Sequence, residues 1–330
     1  MPTIDVQVHT VPRTVWAEML KVSNGSSVGA LRARHLCEMP IFGKDPQMLG
    51  ALDDRIPIMD DAGVDMEVLC TGMNNASLFE DRAQNVDMAR ATNDAFSGAN
   101  LSYPQRYRFF ATPPLPHVQE SVDEIRRASK LPGFAGVMMP ADFGMPMDDE
   151  RLDDLYAEIN RLRGLLFLHP NGADNPGRYG RWGLETMIGW PALNALAIME
   201  MILGGVLDRF PDITLITPHL SGTMLFLAGR IDRYFNDMRG PAFFKCQEQP
   251  IWYMKRMYHD SVSFQHSALE LARTMVGSDH ILAASDYPWQ CRKRYADFLD
   301  VVDTLDWADE ERAGVRGGNM ERLLRERGCW

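Results

Sequence analysis

The sequence predicts one α/β domain built as a (β/α)8 barrel. Three observations carry that expectation. Short β-rich runs alternate with longer helix-periodic stretches, the pattern of parallel βα units. Eight such units can be counted. A chain of 330 residues without a Pro/Gly/Ser-rich or charge-run linker fits a single barrel spanning 1–330 better than two domains. An open doubly wound sheet is the competing arrangement.

The elements follow in order. Strands are expected over residues 3–8, 65–70, 106–111, 134–138, 165–168, 213–217, 257–260 and 281–285. Helices are expected to start near Asp45, Asp81, Val118, Asp149, Pro191, Gly222 and Ser267, with a closing helical region over 295–327. Asp45 can cap the first of these while Pro46 occupies its first turn. Two connections, 10–44 and 170–190, are far longer than the usual few residues and leave the C-terminal ends of strands, where a barrel enzyme builds its site. The second carries Asn171, Asn175, Arg178, Tyr179, Arg181 and Trp182, a composition suited to a pocket wall.

Composition narrows the function. With 45% hydrophobic and 24% charged residues, the chain is neither disordered, collagen-like nor a disulfide scaffold. Its formal net charge of −11 repels nucleic acid and anionic membrane, so an anionic substrate needs locally placed arginines. The five cysteines (Cys37, Cys70, Cys246, Cys291, Cys329) are scattered without a CxxC and read as reduced thiols. The first residues lack a basic region followed by an apolar stretch, and no run approaches about 20 uninterrupted apolar residues, so a cytoplasmic location is expected. The 21 methionines are read as packing, and no Gly-rich phosphate loop or Ser-His-Asp constellation stands out.

The chemistry concentrates at strand ends. His9, His169 and His219 each sit where an expected strand gives way to its loop, and Asp286 follows the eighth strand. Each histidine alone is more economically a hydrogen-bonded interior residue. Four coincident placements instead predict convergence on one barrel mouth, where imidazoles and a carboxylate suit zinc, manganese or iron. Period-two geometry would put Asp5, Gln7 and His9 on one face of the first strand. His259 and Asp260 compete for a place in the site, since alternation sends only one inward, whereas His35, His117, His266 and His280 are read as structural.

Several segments together resemble a known family. Residues 4–12 (IDVQVHTVP), Phe167-Leu168-His169-Pro170, residues 204–211 (GGVLDRFP), Thr217-Pro218-His219-Leu220-Ser221-Gly222, residues 228–232 (AGRID) and Ser285-Asp286-Tyr287-Pro288 are similar to the amidohydrolase-related (amidohydrolase 2) decarboxylases. The likeness is strongest to the aminocarboxymuconate semialdehyde decarboxylase type and spans nearly the whole chain. It implies that His9, His169 and Asp286 bind one divalent metal, zinc before manganese, and that His219 handles a proton there. It also implies that Arg55 grips a substrate carboxylate, that Arg239 reaches into a neighbouring subunit's site, and that Asp260 is the better match of the competing pair. A homodimer or larger even oligomer follows from the role of Arg239.

One position departs from the resemblance. The family opens with His-x-His or Glu-x-His, and here the first member is Gln7. Gln7 is then a weak fourth ligand, or the metal is held by the other three alone, or the site has lost its metal. The expected function is metal-dependent, non-oxidative decarboxylation of a small unsaturated or aromatic carboxylic acid, with His219 moving a proton and Asp286 both binding the metal and later protonating carbon. A hydrolase or hydratase using the same groups, and a metal-free paralogue that binds a carboxylate without turnover, remain as alternatives.

Overall fold

A computed structural model describes residues 1–38, 52–72, 76–171, 181–239, 241–291 and 293–330. Among them, eight strands form one parallel sheet in sequence order: β1 Ile4–His9, β2 Met66–Cys70, β3 Tyr107–Ala111, β4 Phe134–Pro140, β5 Leu165–His169, β6 Thr214–Thr217, β7 Tyr258–Asp260 and β8 Ile281–Leu282. The segment that continues β8 closes the sheet on β1, where the amides of Val6 and His9 donate to the carbonyls of Ala283 (3.1 Å) and Tyr287 (2.8 Å). A closed barrel excludes the open doubly wound arrangement.

Each expected strand is present within a few residues of its anticipated ends. β8 is shorter than residues 281–285 because Ala283 and Tyr287 bond to β1 outside regular ladder geometry. Inside the barrel, Ile4, Val6, Val68, Phe110, Met138, Phe167, Ile216 and Leu282 pack as one fully buried layer, as β-branched and aromatic strand residues do.

The helices form the outer ring: α1 Arg13–Val22, α2 Val28–Glu38, α3 Ile56–Ala62, α4 Arg82–Ser102, α5 Val118–Ala128, α6 Asp153–Arg161, α7 Trp190–Leu203, α8 Val206–Arg209, α9 Met224–Arg233, α10 Pro250–Met254, α11 His266–Val276, α12 Asp297–Asp303, α13 Asp309–Ala313 and α14 Asn319–Glu326. Asp81 caps α4 by accepting from the Gln84 amide at 2.9 Å, as a carboxylate at that position should. The first long connection holds α1 and α2, a difference from the expected loop; α1 has no side-chain cap to announce it. The helix start expected at Asp45 lies outside the described residues.

The continuous helical stretch Glu185–Leu203 has the length and mean hydropathy, 1.4, of a bilayer-crossing helix. Its Ala197, Ile198, Met201 and Ile202 are nevertheless buried in the core between barrel and helices. Its place is that of a core helix.

Candidate functional site

The strand ends deliver the site. His9 is the last residue of β1, His169 the last of β5 and Asp260 the last of β7, while His219 lies two residues beyond β6 and Asp286 four beyond β8. The pairing of β1 with β2 shifts register between Asp5 and Val8. That irregularity breaks the alternation, so Gln7 and His9 turn into the mouth while Asp5 turns to the outer side of the wall. The expectation that Asp5 shares their face is thereby corrected.

Within the mouth, ligand atoms of His9, His169 and Asp286 lie within 4.8 Å of one another, and all three residues are buried. His9 Nε2 is 2.9 Å from Asp286 Oδ1, and His219 Nε2 is 3.8 Å from Asp286 Oδ2. The Gln7 amide nitrogen occupies the middle of this ring, 3.0 Å from Asp286 Oδ1 and 3.4 Å from each of the Nε2 atoms of His9, His169 and His219. Its amide oxygen is buried without a hydrogen-bond partner.

These residues fit a divalent cation. Three imidazoles and a carboxylate converge on one point, and rotation of the Gln7 carboxamide about its last bond would turn its unpartnered oxygen toward that point. His169 donates from Nδ1 to the Pro170 carbonyl at 2.7 Å, which leaves its Nε2 lone pair facing inward. His9 Nδ1 lies 3.2 Å from Cys70 Sγ. Gly72 lines the same wall at φ +59°, and a Cβ there would come within 2.7 Å of His9 Nδ1, so the close approach requires glycine.

Electrostatics separate the histidines. Burial disfavours charge on His9, but Cys70 and Asp286 outweigh it and push the imidazole up to about 10. Burial lowers His169, helped by His9 and His219, and burial also lowers His219.

His219 stands on an unusual turn. His219, Leu220, Ser221 and Gly222 all have positive φ (53°, 50°, 62° and 61°), a run that costs roughly 1–3 kcal/mol at each non-glycine residue. Three contacts hold it. Asp260 Oδ1 accepts from the amides of Leu220 (2.8 Å) and Val262 (3.0 Å). The Ser221 hydroxyl donates to His259 Nδ1, and His259 Nε2 donates to the Met254 carbonyl at 2.9 Å. Gly222 packs directly on the start of α7, where a Cβ would meet the Pro191 carbonyl oxygen at 1.9 Å. Of the competing pair, Asp260 thus braces the mouth and His259 lies behind it.

Arg55 requires a correction. It is 1% exposed, pairs through Nε with Glu67 at 3.1 Å, and donates from Nη1 to the His9 carbonyl at 3.2 Å. Its guanidinium lies behind β1 with its charge compensated, so it supports the backbone of His9 where a substrate clamp was expected. Around it, the Tyr295 hydroxyl lies 2.8 Å from both Asp5 Oδ2 and Glu67 Oε1. One hydroxyl proton cannot serve two carboxylates at once, and burial pushes Asp5 up to about 7.

Arg239 ends the helical turn Tyr234–Arg239, and its side chain lies outside the described residues. Asn175, Arg178 and Tyr179 of the second long connection, and the Arg181 side chain, do so as well. Sequence reasoning missed Cys70, Gly72 and Asn194, whose amide nitrogen is 3.0 Å from His219 Nδ1.

The amidohydrolase profile matches residues 4–325. The chain belongs to the amidohydrolase family. Among relatives within it, the 2-amino-3-carboxymuconate-6-semialdehyde decarboxylase of Dictyostelium discoideum is 24% identical over 97% of this chain and 91% of its own length. The gamma-resorcylate decarboxylase of a Rhizobium species is 22% identical, covering 84% and 88%. A 2-keto-4-carboxy-3-hexenedioate hydratase of a Sphingobium species is 20% identical over 82% and 81%. The fold superposes on the 5-carboxyvanillate decarboxylase of Novosphingobium aromaticivorans, solved with manganese and a nitrobenzoic acid, with a TM-score of 0.87 at 18% identity over 98% of this chain and 96% of that one. The decarboxylases among these relatives support assigning this amidohydrolase-family chain to the carboxy-lyases.

Proposed function

We propose that the chain is a divalent-metal-dependent, non-oxidative decarboxylase of a small aromatic or unsaturated carboxylic acid. The observation that carries this reading is the convergence of His9, His169 and Asp286 around the Gln7 carboxamide, with His219 beside them. His9, His169 and Asp286 would hold the ion, zinc or manganese, with the Gln7 oxygen as a weak fourth donor. When bound, such an ion supplies positive charge that orients the substrate's oxygens and stabilises the electron pair left as the carbon–carbon bond breaks.

The remaining work falls to this chain's own groups. Carbon dioxide departs, the electron pair stays on the substrate carbon, and one proton must reach that carbon. His219 Nε2 and Asp286 Oδ2, 3.8 Å apart, would be the groups that take up that proton and hand it on. Burial of His9, His169 and Asp286 would limit the water that reaches the ring.

Arg239 is the remaining candidate for a cation from a neighbouring copy. Exposed Trp182, Leu196, Phe226 and Phe243 provide apolar surface for such pairing. In a two-fold dimer the same arginine would complete both sites. Mixing inactive Arg239→Ala and His219→Asn variants should restore activity toward about half the normal rate per mixed dimer, because one site then has both residues intact. Verified exchange without recovery would exclude action across the interface.

The assignment is tested by incubating zinc- or manganese-loaded protein with 2,6-dihydroxybenzoate, 5-carboxyvanillate and 2-amino-3-carboxymuconate 6-semialdehyde and measuring carbon dioxide. Metal-dependent release supports the reading. The hydratase relative favours a second one, in which His219 activates water for addition to a double bond; consumption of an unsaturated acid without carbon dioxide would establish it. Protein that stays metal-free after growth with added zinc or manganese would instead indicate a paralogue that binds carboxylates without turnover.

A further inference from the structure

His219 has a partner on its far side that the reaction as proposed does not use. Asn194 lies on α7, one turn beyond Pro191, and is fully buried. Its amide group reaches His219 Nδ1 at 3.0 Å, and with the nitrogen in that position its oxygen is buried without a partner. The approach is built into the backbone: Gly222 lets the His219 turn lie directly against the Pro191 carbonyl, which brings the first turns of α7 over the imidazole.

The two ends of a carboxamide have nearly the same shape, so the protons of His219 decide which end faces it. On the inner side, His219 Nε2 is 3.4 Å from the Gln7 amide nitrogen, a donor, and 3.8 Å from Asp286, too far for a hydrogen bond. A proton on Nε2 would thus oppose the Gln7 N–H group, or a cation if one occupied the ring. A lone pair on Nε2 suits both situations. An imidazole with a lone pair on Nε2 carries its proton on Nδ1, where it needs an acceptor.

We propose that Asn194 is a positioning residue that accepts the Nδ1 proton of His219 through its side-chain oxygen, fixing the tautomer whose Nε2 lone pair faces the Gln7–Asp286 ring. The inference rests on the reading of His219 as the proton-transfer residue for its consequence in rate, but the tautomer is measurable without any substrate. The arrangement parallels His169, whose Nδ1 proton goes to the Pro170 carbonyl. At His219, among the described residues, the group beside Nδ1 is the Asn194 side chain and not a backbone carbonyl, so a side chain from the neighbouring helix would supply the oxygen.

Protein labelled with 15N at histidine, in metal-free and zinc-loaded forms, tests this through long-range proton–nitrogen correlation spectra, with His219→Asn assigning the signals. The expected result in the wild type is a protonated Nδ1 and an unprotonated Nε2 at His219 in both forms. A protonated Nε2 would overturn the proposal without any variant. In Asn194→Leu, which removes the acceptor at similar volume, the His219 signals should move to the Nε2-protonated or an averaged pattern. Asn194→Asp should retain the protonated Nδ1. On any acid the wild type turns over, Asn194→Leu should lower kcat about 10- to 100-fold with KM and metal content little changed, the size expected for loss of an orienting partner. Wild-type spectra in a folded Asn194→Leu would also overturn it, and if that variant does not fold, the wild-type pattern decides. Undiminished activity of His219→Asn would instead remove the proposed role of His219 while leaving the tautomer measurement valid.

Discussion

Two kinds of buried polar cluster flank the barrel wall, one inside the mouth and one behind it. Behind β1, Asp5, Glu67, Arg55 and Tyr295 bond to one another and to the main chain at 2.8–3.2 Å. Inside the mouth, contacts to the Gln7 amide stretch to 3.4 Å, and Gln7 Oε1, Asn194 Oδ1 and Asp260 Oδ2 are buried without partners. Buried polar groups are normally paired, so the two clusters differ in purpose. In the outer one, the two atoms without a hydrogen bond, Arg55 Nε and Glu67 Oε2, face each other as an ion pair at 3.1 Å, so the wall compensates its own charge; the inner one leaves its unpartnered oxygens open, as a site for a ligand would.

That contrast predicts opposite consequences for substitution. Inner changes should cost activity with little loss of stability, and the largest loss belongs to the metal ring. His169→Ala removes one of three strong donors, and two rarely hold a catalytic ion. Elemental analysis should find the metal largely gone and carbon dioxide release abolished; a variant that retains its full metal content would place His169 outside the coordination sphere.

His219→Asn should come next. It keeps a polar side chain on the same turn, so metal content and melting temperature should stay near wild type while kcat falls by roughly 10² to 10⁴, the contribution of a general acid or base. Loss of metal in this variant would make His219 a ligand and redraw the ring.

How much of this was legible follows the same division. His9, His169, His219 and Asp286 were readable because each ends a strand-like run, and a closed barrel brings strand ends together whatever their separation in sequence. The outward turn of Asp5 was not, because it depends on a register shift against β2 that strict alternation cannot show. Arg55 was misread for a related reason: its partner Glu67 lies on the outer face of β2, and sequence alone does not say on which side of a wall an arginine ends. Asn194 carried one usable signal, an amide within the otherwise apolar run from Ala192 to Ala197, but its meaning depends on the contact between Gly222 and Pro191.

Outer changes should cost stability first. Arg55→Ala leaves Glu67 buried without its counter-charge, and removal of one member of a buried pair costs about 3–5 kcal/mol. Urea denaturation of the metal-free protein should show that loss, and replacing both partners together, as Arg55→Met with Glu67→Met, should recover part of it. An Arg55→Ala protein of normal stability but without activity would reverse the assignment and return Arg55 to the substrate.

The smallest effect concerns His259, which burial pushes down to about 4 while its Nε2–H is held by the Met254 carbonyl. An unfolded histidine titrates near 6.5, so between about pH 6.5 and 4 the unfolded chain takes up a proton that the folded one refuses. The unfolded state binds more protons there, and stability falls as pH falls through that window, by about 1 kcal/mol per pH unit at the steepest. His259→Gln removes the titrating ring, although it also weakens the support of Ser221 and lowers stability at every pH. The informative quantity is therefore the slope: the gap between wild type and variant in urea denaturation should narrow steadily from pH 7 to pH 4.5. Parallel curves would mean that the folded wall lets His259 take up its proton as readily as the unfolded chain does, and a widening gap that the folded wall favours the charged ring.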